Sequence, residues 1–139
     1  MTGARAASAT SRCHAIEECY EFMLAYAAQG VSGEPGQANV GQLRTLLTRA
    51  EEALDGLAEA FREAVAEAGL TPRDTYDAFL AVLDRDARDS LAAIRLVLAQ
   101  PAISSQTVDN LNASIHLRAL LTDIFLFDGI LETRAKAGA

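Results

Sequence analysis

The sequence predicts an all-α protein, an antiparallel up-down-up-down four-helix bundle that is dimeric through its C-terminal helix. Three observations carry this expectation. Half of the 139 residues are hydrophobic but only 6% are aromatic, and the apolar share is dominated by alanine and leucine, which favours closely approaching helices over sheets. Apolar residues recur at steps of three and four along four segments, the period of a helix face. The second and third connections are too short to cross the length of a bundle, so consecutive helices should be antiparallel neighbours.

A chain of this length fits one domain. It buries roughly 68% of its unfolded surface, enough to fold without a disulfide or a structural metal. The expected organisation is a flexible N-terminal tail over 1–10 and a single domain over 11–136, with helices at about 11–29, 38–68, 72–99 and 104–134.

The first segment has the seam Cys13, Ile16, Tyr20, Met23 and Ala27, flanked by a polar line of His14, Glu17 and Glu21. It ends before Gly30. The stretch from Gly30 to Gly41 holds four glycines and Pro35, the composition of a mobile linker. It lacks the GK[ST] ending of a phosphate-binding loop, and no strand precedes it.

The second segment has the cleanest pattern: Val40, Leu43, Leu47, Ala50, Leu54, Leu57, Phe61, Ala64 and Ala68 alternate steps of three and four, which predicts one long rod with a coiled-coil-like seam. The third opens at Thr71-Pro72-Arg73-Asp74, with Thr71 as a cap, Pro72 at the first helical position and Asp74 near the positive end of the helix dipole. Its seam is Tyr76, Leu80, Leu83, Ala87, Leu91, Ile94 and Leu98, and it stops at Gln100-Pro101 because proline disfavours a helical residue before it. In the fourth, Ser104 is placed to cap, and Ile103 and Val108 to form a hydrophobic staple.

The fourth segment is apolar around most of its circumference, which marks an enclosed helix. Ala113, Leu117, Leu120, Ile124, Phe127 and Leu131 form a seam for the chain's own core. Val108, Leu111, Ile115 and Leu126 are left over and are the expected oligomer interface. Asn112, His116, Asp123 and Arg134 form a water-facing strip, and Asn110, Ser114 and Arg118 a second polar border.

The net charge of −7 and the dispersed basic residues argue against nucleic acid or an anionic membrane as partner. The apolar run from Ala119 to Leu131 is too short to span a bilayer and contains Asp123 and Asp128. Met1 to Thr10 has no apolar stretch of signal-peptide length, so the expected location is the cytoplasm. Cys13 and Cys19 lie six residues apart on one helix, about 9 Å of rise, too far to bridge each other.

Candidate chemistry is sparse. His14 with Glu17 or Glu18, helped by Cys13, could form part of a metal site, but di-iron bundles use Glu-x-x-His on two helices with glutamates from two more. Here only the reversed His14-Ala-Ile-Glu17 occurs, and no metal or cofactor is expected. A cysteine nucleophile would need His116 to approach Cys13 or Cys19 from another helix. His116-Leu117-Arg118 resembles, over three residues, the phosphotransfer helix of histidine phosphotransfer proteins. The glycine-containing pattern those proteins carry after the histidine is missing.

Two functions follow as expectations. The first is a non-catalytic interaction or regulatory protein that self-associates through the last helix and offers an acidic surface to a protein partner. The second is a small-molecule binder or enzyme with a pocket between the first and fourth helices, lined by Tyr20, Met23 and Phe125 and anchored by Glu17, Glu21 and Arg118. Arginine could hold a carboxylate or phosphate there through its two-pronged geometry.

Overall fold

The computed structural model describes residues 4–30, 32 and 39–137. These form six α-helices and no strand: α1 (Ala4–Ala28), α2 (Val40–Leu54), α3 (Leu57–Ala68), α4 (Arg73–Leu98), α5 (Ser105–Ala113) and α6 (Ile115–Ala137). The all-α expectation holds, and three boundaries are corrected. The mobile linker expected after Gly30 falls largely on residues 31 and 33–38, outside the described residues.

The first correction is at the N-terminus. From Ala4 onward the expected tail is helical, and Ala9 is buried one turn ahead of Cys13. Alanine-rich sequence has high helix propensity, and Ala9 extends the buried seam backward.

The second correction splits the long rod. Asp55 leaves the helical region, Gly56 turns left-handed at φ 93, and α3 begins at Leu57. The seam survives because Leu54 and Leu57 are both buried on either side of the break. The guanidinium of Arg12 closes the open end of α2, with Nη1 donating to the carbonyls of Glu52, Ala53 and Asp55 at 3.2, 3.1 and 2.8 Å. A cation at a helix C-terminus also meets the negative end of its dipole.

The third correction divides the last helix. Ser114 is extended and ends α5, while its Oγ accepts from the Leu117 amide at 3.2 Å and so caps α6. Serine competes with the helical backbone in this way. Across the break, Ser90 Oγ on α4 donates to the His116 carbonyl at 3.0 Å.

Other ends close conventionally. Gly69 (φ 63) and Leu70 return their amides to Ala66 and Val65, the Schellman arrangement, with Leu70 buried. α4 starts one residue later than expected, with Pro72 at the cap position and no side-chain cap. Its C-terminus is held by Arg44, which donates to the carbonyls of Leu98 and Gln100 at 3.1 and 2.5 Å. Ser104 caps α5 as expected, and both staple residues, Ile103 and Val108, are fully buried.

Helix α1 packs on α2, α3 and α5, and α4 packs on α2, α3 and α6. Long-range bonds fix how each pair runs. Asn39 at the start of α2 donates to Gln29 at the end of α1, Glu18 pairs with Arg49, and Arg12 reaches the end of α2, so α1 and α2 run in opposite directions. Along α4 and α6, Ser90 meets His116, Asp86 meets Asp123, and Phe79 and Tyr76 meet Phe127, again in opposite senses. Tyr26 Oη donates to the Ile103 carbonyl at 2.7 Å and ties the end of α1 to the start of α5.

One continuous core fills the space between the helices. At one end Phe127 sits edge-on to Phe61 and Tyr76 and stacks on Phe79, with centroids 5.1, 6.0 and 5.7 Å away. These aromatic contacts bind α3, α4 and α6 together.

Candidate functional site

Three places in the fold carry polar or apolar groups beyond what packing requires. The first is an open groove along α1, lined by Thr10, Ser11, His14, Ala15, Glu17, Glu18 and Glu21, with Arg49 from α2. Glu18 is paired to Arg49 at 3.2 Å. Partial burial raises the Glu17 carboxyl pKa; Asp128 and Glu21 raise it further and His14 opposes them. Asp128 on α6 is raised by burial and by Glu132, again opposed by His14.

The expected pocket residues do not converge here. Glu17 and Glu21 line the groove, but Tyr20 is half-buried among core residues and Met23 is fully buried. Arg118 is expected to anchor the pocket with Glu17 and Glu21. It is exposed, does not line the groove, and its guanidinium makes no ion pair among the described residues. Within α6 the side chains of Leu117, Leu120, Ile124 and Phe127 face the core, and at 3.6 residues per turn Arg118 falls on the opposite side. Phe125 also points outward, 58% exposed.

The cysteines face inward. Burial, with the nearby charges of Asp128 and Glu17, pushes the Cys13 thiol up to about 12, and burial with Glu18 does the same for Cys19. Neither can supply a thiolate near neutral pH. His14 is exposed while Cys13 is buried, so the two do not share a ligand sphere. No group of three His, Cys, Asp or Glu among the described residues is placed to hold a metal ion.

The second place is the seam between α4 and α6. The expected water-facing strip is mostly enclosed: Asn112 and Asp123 are each only 9% exposed, and only His116 and Arg134 reach solvent. Asp123 lies beside Asp86; burial first, then this neighbouring carboxyl, raise the Asp123 carboxyl to about 7. Its Oδ2, and both amide atoms of Asn112, have no hydrogen-bond partner among the described residues. His116 Nδ1 lies 3.8 Å from Asp89, both side chains about half exposed.

The third place is the outer face of α6, where Ile115, Phe125, Leu126 and Ile130 are 75, 58, 54 and 38% exposed. Phe125, Leu126 and Ile130 are near neighbours on the helix surface. Val82, on the flank of α4 that carries Phe79 and Asp86, is exposed too and extends the patch across the seam. Of the four residues expected at an oligomer interface, Ile115 and Leu126 lie on this face. Val108 and Leu111 do not: they are buried in the chain's own core, because α5 packs inward against α1.

Sequence reasoning placed Phe125 in a pocket and gave Asp86, Arg12 and Arg44 no role. A serine in the middle of an apolar helix was the available signal for the break between α5 and α6. The other three act across more than 35 residues of chain, beyond the reach of local pattern. No helix among the described residues is long and apolar enough to cross a membrane. Comparisons with protein-family models, with curated proteins and with solved structures find no match to this chain.

Proposed function

We propose that this chain is a non-catalytic protein, an antiparallel up-down-up-down bundle of four helical arms, that works in protein-protein interaction and pairs first with a second copy of itself through α6. The observation that carries this reading is the outer face of α6. The core is closed and filled, yet Ile115, Phe125, Leu126 and Ile130 remain in water on one helix. Four large apolar residues exposed along one helix are a feature of interaction surfaces rather than of ordinary monomer surface.

The chemistry elsewhere supports a binding role. The groove along α1 is open and has no activated nucleophile, and both thiols are held protonated inside the core. A protein with buried reduced cysteines and an acidic surface suits the cytoplasm, and the same surface would face a further protein partner.

Sedimentation velocity over a hundredfold range of concentration tests the proposal. Mass should rise toward twice the 14.8 kDa of the chain. The double variant Phe125→Glu, Leu126→Glu should remain folded and monomeric. A wild-type monomer at every concentration overturns the proposal.

A further inference from the structure

If α6 pairs with a second copy, its own sequence constrains how. Arg118, Phe125 and Glu132 lie at intervals of seven residues along α6. Such a row drifts only about 20° per interval around a straight helix, with about 10.5 Å between neighbours. All three are exposed. Phe125 is therefore the midpoint of a stripe with a cation at one end and an anion at the other.

The Arg118 guanidinium has no hydrogen bond or ion pair among the described residues, although it stands on the apolar face. Among the described residues Glu132 pairs with Lys136 alone, at 3.5 Å, and both of those side chains are mostly in solvent. Gly129 adds an independent observation. It lies in the exposed interior of α6, one turn from Phe125, where glycine costs about 1 kcal/mol against alanine. Among the described residues, no atom beyond its own helical turn lies within 4 Å of the place a Cβ would occupy, so packing of these residues gives no reason for the missing side chain. Bare backbone there admits a second helix at close range.

We infer that two copies pair through α6 in antiparallel fashion about a twofold axis at Phe125, with Arg118 of each copy meeting Glu132 of the other. The twofold operation places Phe125 beside its own counterpart and brings Thr122 of one copy to the region of Gly129 of the other, small residue against small. Charge selects the direction. A parallel pair would set Arg118 against Arg118 and Glu132 against Glu132, whereas the antiparallel pair forms the Arg118–Glu132 contact twice. This geometry is isologous, so it closes at two copies. It rests on the self-association proposed above.

Charge reversal and cross-linking test the arrangement. Arg118→Glu alone, or Glu132→Arg alone, should weaken dimerisation about tenfold at low salt, as two attractive exposed pairs become two repulsive ones. Both changes in one chain should restore it. Phe125→Cys should form a disulfide-linked dimer under mild oxidation. An equimolar mixture of Arg118→Cys and Glu132→Cys chains should cross-link as heterodimer, and Arg118→Cys alone should not. Cys13 and Cys19 are buried and do not compete.

Cross-linking of Arg118→Cys with itself would overturn the antiparallel direction. A wild-type dimer indifferent to both single charge reversals would overturn the register while self-association stands. A wild-type monomer throughout would overturn both.

Discussion

Asp123 on α6 faces Asp86 on α4 across the seam, and burial together with this acidic neighbour raises the Asp123 carboxyl to about 7. A proton on Asp123 removes the repulsion between the two acids. The seam is thus closed most favourably while Asp123 remains protonated.

Stability should therefore fall as pH rises. The Asp123 carboxyl is raised from 3.8 to about 7 in the fold, so between those values the folded chain holds a proton that the unfolded chain has lost. The contribution is fully present below about 4, declines toward 7, and above 7 both states are ionised and the fold bears the repulsion. Asp123→Asn should flatten this dependence and stabilise the protein at pH 8 by about 1.4 kcal/mol, the value of one pKa unit. Urea titrations at pH 5 and pH 8 measure it; parallel profiles for variant and wild type would refute it.

Asn112 buries an amide with neither end bonded among the described residues. An unsatisfied buried polar group costs about 1–3 kcal/mol, while an apolar group of similar shape avoids that penalty. Asn112→Leu should raise the thermal midpoint. A clear fall would show that the amide has a partner, such as an ordered water.

Arg12 is the joint between α1 and the broken second arm. Arg12→Met should destabilise by about 2 kcal/mol, since a charged donor to three carbonyls is lost. Gly56→Ala should cost about 1 kcal/mol because φ 93 disfavours a side chain, although the space beside it is adequate, with Arg12 atoms 3.7 Å from an added Cβ. Chemical denaturation separates the two effects, and Arg12→Lys should recover only part of the first.

The division of the last arm predicts opposite outcomes on its two sides. Leu111→Ala should cost about 2–5 kcal/mol as a core truncation, because Leu111 is buried. Ile115→Asp should change the stability of a single copy by no more than about 0.5 kcal/mol. Equal losses at the two sites would contradict the orientation of α5 and α6.

The thiols offer a readout of global opening. With both pushed up to about 12 and buried, Cys13 and Cys19 should resist a thiol reagent at pH 8 in the native protein and react at the rate of unfolding. Rapid stoichiometric labelling without denaturant would place at least one of them at the surface.

What could be read in advance follows from how far each interaction reaches along the chain. The seams of α2 through α4 were legible because a three-four pattern reports burial directly; Leu43, Leu47, Leu80, Leu83 and Ile94 are all enclosed. The same pattern hid the break at Gly56, since Leu54 and Leu57 stay in phase across it. On the last arm Leu117, Leu120, Ile124 and Phe127 were placed correctly, whereas Ala113, before the Ser114 turn, is exposed. The enclosure of Asp123 depends on α4, more than 35 residues away, and no local pattern encodes it.

Arg12, Arg44, Tyr26 and Ser90 all fasten one helix to another by reaching a main-chain carbonyl rather than a side chain. A carbonyl is present whatever residue carries it. Substitution at the exposed acceptors Glu52, Asp55, Gln100 or His116 therefore leaves the receiving half of those fastenings in place, and the burden of identity there falls on Arg12, Arg44 and Ser90. The surface can drift at these positions without loosening the frame, and a saturation-mutagenesis scan should find donors and exposed acceptors sharply unequal in tolerance.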